Sequence, residues 1–208
     1  MADTTDQTRN RLKNTAEKTD ENTRIPTRQT SEDTDQRTLF GTAAQSSNGH
    51  SEELTAASEK QARRDSHLLK ISKMFAEFST CLSRKVGCII ASDAGHIIST
   101  GYNGAPKKTC HSEEAGCYCQ EPGRVSGTYQ ERLRCSHAEL NAIAQAAYEG
   151  VSTKDARIYC VTFPCSFCCK AIIQSGIRSV TYEEDYNDDL SKTLFEEAGI
   201  DFRQIIPT

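Results

Sequence analysis

From about residue 63 onward, hydrophobic positions recur with two clear periods; before it they are sparse. Leu68, Leu69, Ile71, Met74, Phe75 and Phe78 follow helical spacing. They predict an amphipathic helix from near Arg63 to near Cys81, with Met74 and the phenylalanines in the core. Residues 86–91 read as a strand, Asp93, Ala94 and Gly95 as a turn, and residues 97–102 as the returning strand of a hairpin. Cys88 falls inside the first strand and reads as a small core residue. Residues 103–134 lose all period and are punctuated by glycine and proline, a loop long enough to be functional or pinned by a metal. A helix follows over 136–148, a buried strand over 157–163, and a helix opened by Pro164 that ends near Gly176. A strand over 177–182, a helix over 190–198 and a strand over 201–206 complete the pattern. Strands that alternate with helices in this half imply parallel pairing through right-handed crossovers. The fold class is therefore α/β: a three-layer α/β/α domain around a five-stranded mixed sheet.

Residues 1–62 change the picture of the whole chain. They are dominated by Thr, Ser, Asp, Glu, Gln, Asn, Lys and Arg, with Leu12, Ile25, Leu39, Phe40 and Leu54 as the few large apolar residues. Such a stretch buries too little to offset its chain entropy, so 1–62 reads as a disordered polar tail and 63–208 as one domain. The whole has 208 residues and a formal net charge of -4, with no basic excess of the kind a nucleic-acid surface carries. The start has no apolar core of a secretory signal and too many acids for a transit peptide. No apolar run reaches the roughly 18 residues of a membrane span. Ten cysteines in such a chain point to a reducing, cytoplasmic setting, with metal or catalytic work for the thiols.

The candidate chemistry sits in two short runs. His137-Ala138-Glu139 lies at the start of one predicted helix, and Pro164-Cys165-Ser166-Phe167-Cys168 at the start of the next. Two thiols three residues apart face one side of a helix, and a helix N-terminus favours their thiolates. Neighbouring crossover helices start at the same edge of the sheet, where open α/β sheets bind ligands. Each run has a local alternative. Ser136-x-x-Glu139 is also a capping box, and Cys165-x-x-Cys168 alone is also half a zinc knuckle or a redox pair. Together they give one imidazole and two thiolates, a three-ligand zinc site with an open fourth position, and Glu139 as a carboxylate outside the metal shell. This is the H-x-E…P-C-x-x-C arrangement of zinc nucleobase deaminases. Zinc would make a water nucleophilic near neutral pH, and Glu139 would carry protons between that water, the ring and the leaving ammonia. In the loop, Cys110, His111, Cys117, Cys119 and Cys135 form a second concentration of metal-ligating residues.

From Cys81 to the end the chain resembles deoxycytidylate (dCMP) deaminases, especially those of bacteria and phages. The resemblance is carried by Val86-Gly87-Cys88-Ile89-Ile90, by residues 97–106, by His137-Ala138-Glu139-Leu140-Asn141-Ala142-Ile143, by Pro164-Cys165-x-x-Cys168 and by residues 171–177. It implies a cytidine-deaminase-like fold with the last two strands parallel, zinc as cofactor, dCMP as substrate and dUMP and ammonia as products. It further implies a homo-oligomer, often a hexamer, with dCTP and dTTP as effectors. By the same resemblance Asn103 contacts the substrate sugar and Tyr186 lies near the phosphate. Phage members carry a second zinc, held partly by cysteines at positions matching Cys81 and Cys110. Cys117 and Cys135 would complete a structural Cys₄ site, with His111 and Cys119 in reserve. Rival readings remain at this point: deamination of dCTP, of a free nucleoside or of a tRNA base, or a zinc and nucleotide scaffold without activity. A retained Glu139 counts against the scaffold.

Overall fold

A computed structural model describes residues 47–125 and 128–206. The polar stretch up to residue 46, with Leu39 and Phe40, lies outside the described residues. The chain divides between Ala44 and Gln45, and the second unit carries every element below. In order these are α1 (Ser47–Ala76), β1 (Gly87–Ala91), β2 (Ile97–Tyr102), α2 (Ser112–Ala115), α3 (Ala138–Tyr148), β3 (Arg157–Thr162), α4 (Ser166–Gln174), β4 (Ser179–Glu184), α5 (Asp189–Glu197) and β5 (Asp201–Gln204). Among the described residues no helix is long and apolar enough to cross a membrane.

The five strands form one sheet in the order β2-β1-β3-β4-β5. β1 pairs antiparallel with both β2 and β3, while β3–β4 and β4–β5 are parallel. The mixed sheet and the parallel last pair agree with the expected fold class. β1 is buried along its whole length and β3 along all but its first residue, as central strands covered on both faces must be. On one face α3, α4 and α5 cover Cys88, Ile90, Ile158, Cys160 and Val180, with Ile172 of α4 in the same core. On the other, α1 covers Ile89, Ala91 and Tyr159. At the end of β3, Phe163 packs edge-on against Tyr182 and Phe195, at 4.8 and 6.0 Å between ring centroids. Truncating such a residue to alanine costs about 3–5 kcal/mol, so the strand end that leads into Pro164 and Cys165 is firmly anchored.

Two expectations need correction. First, α1 starts at Ser47, within the stretch assigned to the polar tail. Its early turns present residues 55–60 to solvent, so they carry no apolar stripe for a pattern to reveal. Second, Met74 and Phe78 are not core: they are 68% and 63% exposed. The buried face of α1 is Asp65, Leu68, Leu69, Ser72 and Ala76, again at helical spacing. The cause is backbone contact. A Cβ added to Gly87 would lie 1.9 Å from the Ser72 carbonyl oxygen and 2.6 Å from the Ala76 nitrogen, so α1 meets β1 through its smallest residues. Asp65 is fully buried but well partnered: Gln61 and Tyr159 donate to one oxygen and Arg203 pairs with the other. That network ties α1 to β3 and β5.

Candidate active site

β3 ends at Thr162, and Phe163-Pro164 turns the chain into α4 with Cys165 as its N-cap and Cys168 in its first turn. His137 is likewise the N-cap of α3, in extended conformation (φ -74°, ψ 154°). Both residues therefore stand one step before the helices that were expected to contain them. Pro164 sits outside α4, where its fixed φ sets the approach to the cap. The imidazole Nδ1 of His137 lies 3.4 Å from Cys165 Sγ and 3.2 Å from Cys168 Sγ. All three ligand atoms lie within 4.8 Å of one another, the one group of three or more so gathered among the described residues. One imidazole and two sulfurs are a donor set that zinc accepts.

The cap position of His137 also removes a local explanation for Glu139. With His137 as N-cap, Ser136 lies outside the helix and Glu139 is its second residue, so a Ser136–Glu139 capping box does not form. Glu139 is instead buried, only 5% exposed. Its pKa is raised, first by burial, with the neighbouring imidazole pulling the other way. The two thiols share charge unequally. A hydrogen bond from Cys168, helped by His137, draws Cys165 down to about 4 against the effect of burial. Cys168, donating to that thiolate, is raised well above its ordinary value. The hydrogen bond to Cys165 raises His137. A thiolate, a proton-sharing thiol and an imidazole in one buried corner form a site whose protons a cation would displace.

Neighbouring residues fix these groups in place. A Cβ on Gly101 would fall 2.2 Å from the Ala138 carbonyl and 2.5 Å from the Ala142 nitrogen, so β2 touches the first turn of α3 directly. Ser99 Oγ donates to the Ala142 carbonyl at 2.6 Å, and Asn141 Nδ2 to the Tyr102 carbonyl at 2.7 Å. On the other side Asp188 accepts from the Ser166 and Ser191 amides, joining the starts of α4 and α5. Burial works against its ionised form, but these amide bonds prevail and lower its pKa. The Gln130 amide sits 3.5 Å from Cys165 Sγ. Neither Asp188 nor Gln130 was singled out in the sequence. Asp188, as the capping residue before a helix, carried a readable signal; Gln130, in an aperiodic loop, carried none.

The site opens into a cavity of ≈ 150 Å³ whose wall also includes Arg84, Asn103, Arg124 and Tyr186. Asn103, expected at the substrate sugar, is 8% exposed. Its oxygen accepts from Ser79 and from the Val86 amide, and its Nδ2 donates to the Arg84 carbonyl. This side chain thus pins the turn before β1, with one amide hydrogen left to face the cavity. The loop between β2 and α3 leaves and returns at one point, where Gly104 and Ser136 exchange backbone hydrogen bonds.

Around the loop, four thiols line the cavity wall, though no three of their sulfurs gather within 4.8 Å of one another. Cys119 is pushed up to about 12 by burial, then by its hydrogen bond with Cys117 and by the charges of Cys117, Cys81 and Cys135. Cys135 is raised by burial, with Cys81 hydrogen-bonded to it. Cys81, Cys117, Cys119 and Cys135 all line the cavity. Cys110 is exposed. Cys119 reaches the cavity wall beside Cys117, where the turn at Tyr118–Gln120 brings its amide onto that sulfur.

Residues 62–184 match the family described as the cytidine and deoxycytidylate deaminase zinc-binding region. The deoxycytidylate deaminase of Schizosaccharomyces pombe is 36% identical over 144 residues, covering 69% of this chain and 44% of that protein. That of Enterobacteria phage T4 is 35% identical over 168 residues, covering 65% of this chain and 86% of that one. The chain spans less than half the length of the yeast relatives it matches. Among solved structures, the dCMP deaminase of cyanophage S-TIM5 in complex with dCMP and dUMP is similar with a TM-score of 0.56 and 26% identity, covering 71% of this chain and 97% of that one.

Proposed function

The chain belongs to the cytidine and deoxycytidylate deaminase zinc-binding family, and on that premise we propose that it deaminates dCMP to dUMP and ammonia, with zinc held by His137, Cys165 and Cys168. The observation that carries this reading is the convergence of those three donors, with His137, Cys165 and the buried carboxylate Glu139 lining one cavity. Relatives named for dCMP supply the substrate.

Zinc, when bound, supplies the Lewis acidity that makes a water molecule nucleophilic near neutral pH. Everything else falls to the chain's own residues. Burial gives the Glu139 carboxylate the raised proton affinity a base needs to take a proton from the attacking water. The oxygen adds to the ring carbon that bears the amino group, and Glu139 passes its proton to the adjacent ring nitrogen. It then takes the second proton, from the hydroxyl now on that carbon, and delivers it to the amine as the carbon–nitrogen bond breaks and the carbonyl forms, so water and cytosine become uracil and ammonia. Backbone contact at Gly101 and the Asp188 bridge keep His137 and Cys165 in register during these steps.

The same proposal includes a second, structural zinc at Cys81, Cys117, Cys119 and Cys135. Four sulfurs suit such a site, and it would fix the loop that walls the cavity. The homo-oligomer, the dCTP and dTTP effectors and a cytoplasmic setting are carried over from the sequence as further parts of it.

The test is a substrate panel. Zinc-loaded protein is incubated with dCMP, dCTP, deoxycytidine and cytidine, and loss of cytosine absorbance is followed. The fastest loss is expected with dCMP. A protein that binds zinc and converts none of the four would point to a scaffold instead.

A further inference from the structure

The sheet carries charge at the end away from the catalytic trio. Arg157 opens β3 and Arg178 stands just before β4, whereas Cys165 follows the far end of β3. At about 3.3 Å per residue, β3 puts roughly 17 Å between Arg157 and Thr162. Strand register sets Arg157 beside Ala91, where the β1–β2 hairpin turns and Asp93 projects. One oxygen of Asp93 collects two arginines. Arg157 donates to Oδ1 from Nε at 3.2 Å and from Nη2 at 3.0 Å, and Arg178 Nη2 donates to the same atom. A third guanidinium arrives from α1: Arg64 Nη1 donates to the Asp93 carbonyl at 3.2 Å. Gly95 makes room for it, since a Cβ there would fall 2.6 Å from Arg64 Cδ.

The charges at this turn do not balance. Among the described residues Arg157 and Arg178 form ion pairs with Asp93 alone, and Arg64 forms none. Asp201 lies opposite Ser179 on β5, yet it forms no ion pair with any of the three among the described residues. Three positive charges therefore face one carboxylate, in a chain whose formal net charge is -4. Exposure sharpens the mismatch, because the Arg157 side chain is 19% exposed and that of Asp93 68%. A largely desolvated guanidinium thus leans on a carboxylate that water still screens. The Arg157 hydrogen bond, then the Arg178 charge, holds the Asp93 carboxyl below its ordinary range. None of these four residues lines the catalytic cavity.

We infer that Arg64, Arg157 and Arg178 form an oxyanion site for the phosphate group of a small soluble ligand, with Asp93 as its internal competitor. A phosphate group carries about -1.5 to -2 charges and three acceptor oxygens, which matches the uncompensated charge of the cluster. Planar guanidinium forks bind such oxygens through charge-assisted hydrogen bonds and hold them in pairs. A carboxylate ligand would bring one charge and two oxygens, and Asp93 already fills that place. The three arms come from α1, β3 and the turn before β4, so a bound phosphate would join elements that meet here through Asp93 alone. The site lies at the foot of the strand whose other end leads to Cys165.

The test titrates full-length wild type, Asp93→Asn, Arg64→Gln and Arg178→Gln with inorganic phosphate, pyrophosphate and glycerol 3-phosphate. Binding is followed by calorimetry at low ionic strength, where exposed charges are least screened, and melting temperature is recorded for each protein. Anion binding in the catalytic cavity is common to all four, because no substituted residue lines it; differences between them report the cluster. Asp93→Asn keeps the side chain's size and removes the competing charge, so phosphate should bind roughly 3–10-fold more tightly than to wild type. Arg64→Gln and Arg178→Gln should each weaken it by a similar factor. Equal binding of inorganic phosphate and glycerol 3-phosphate would support a site for phosphate esters, and binding of inorganic phosphate alone a site for the free ion. Affinity equal in all four proteins, or lower in a well-folded Asp93→Asn, would overturn the site. Where Asp93→Asn melts far below wild type, the two glutamine variants decide, and phosphate affinity unchanged in both would overturn it. Wild-type protein that binds none of the three probes would overturn it as well.

Discussion

His137, Cys165 and Cys168 stand at the starts of two helices that leave one sheet, whereas Cys81, Cys117, Cys119 and Cys135 are carried by turns and by a loop with one-turn helices. His137 and Cys165 line the same cavity as the second group. In the first, backbone does the placing: Gly101 lets α3 touch β2, Asp188 joins the starts of α4 and α5, and Phe163 anchors the strand between them. Three ligand atoms gather within 4.8 Å before any ion arrives. In the second, the Gly104–Ser136 bridge closes the loop at its neck, and the Ser112 hydroxyl meets Cys135 Sγ at 3.2 Å inside it. The difference separates two uses of metal. A catalytic ion needs donors whose geometry it does not have to impose, and a framework of sheet and helix starts provides them. The structural ion proposed for the loop would instead join segments that regular structure does not hold.

That contrast can be broken in three ways. The largest effect is expected from His137→Ala. It should remove the catalytic zinc and bring dCMP turnover below detection, yet in metal-free protein it should shift the melting temperature by no more than roughly 2–4 °C, about 1 kcal/mol for a chain of this size. The reason is that the His137 side chain makes no capping bond to α3. A much larger drop in the metal-free comparison would mean that the trio is part of the folding framework and not carried by it. Next comes Gly101→Ala. The new methyl would enter the α3 backbone, so the helix must move or the strand must bend. About 2–3 kcal/mol of stability should be lost, together with zinc affinity at a site that the substitution does not touch. Unchanged melting and unchanged zinc binding would show that α3 is not positioned by that contact. The smallest effect is expected in the loop. Cys119→Ser should lose one of two bound zinc ions and lower the melting temperature by several degrees, with Cys110→Ser as the silent partner. Elemental analysis decides it: loss in Cys110→Ser and retention in Cys119→Ser would restore the ligand set first expected from the sequence.

The contrast also explains what could be read in advance. The catalytic half was legible because regular structure converts spacing into position: a residue at a helix start beside a sheet can point to few places. The hairpin and the parallel pairing of the later strands followed for the same reason. α1 was legible only in part. Its apolar residues suggested that Met74 and Phe78 are core, but the sheet takes the face bearing Ser72 and Ala76, because Gly87 allows backbone to touch backbone there. Hydrophobic periodicity finds a helix but does not say which of two neighbouring stripes meets a glycine. Residues 55–60 of α1 are exposed, and gave no apolar period to follow. In the loop no period exists at all, so the place of Cys119 in the cavity wall and the approach of Gln130 to Cys165 went unnoticed. Asn103 taught a related lesson, since most of its hydrogen-bonding capacity goes to the chain itself.

The central claim is that His137, Cys165 and Cys168 hold the ion while Glu139 moves the protons, and Glu139→Gln separates the two tasks most directly. The amide keeps the size of the side chain. Zinc content and melting temperature should therefore stay near wild type. Proton transfer by a positioned group contributes roughly 10²–10⁴-fold, and one residue here serves several transfers. Turnover of dCMP should fall to the lower end of detection, at or beyond the top of that range. A Glu139→Gln protein that retains zinc and deaminates dCMP at close to the wild-type rate would contradict the account.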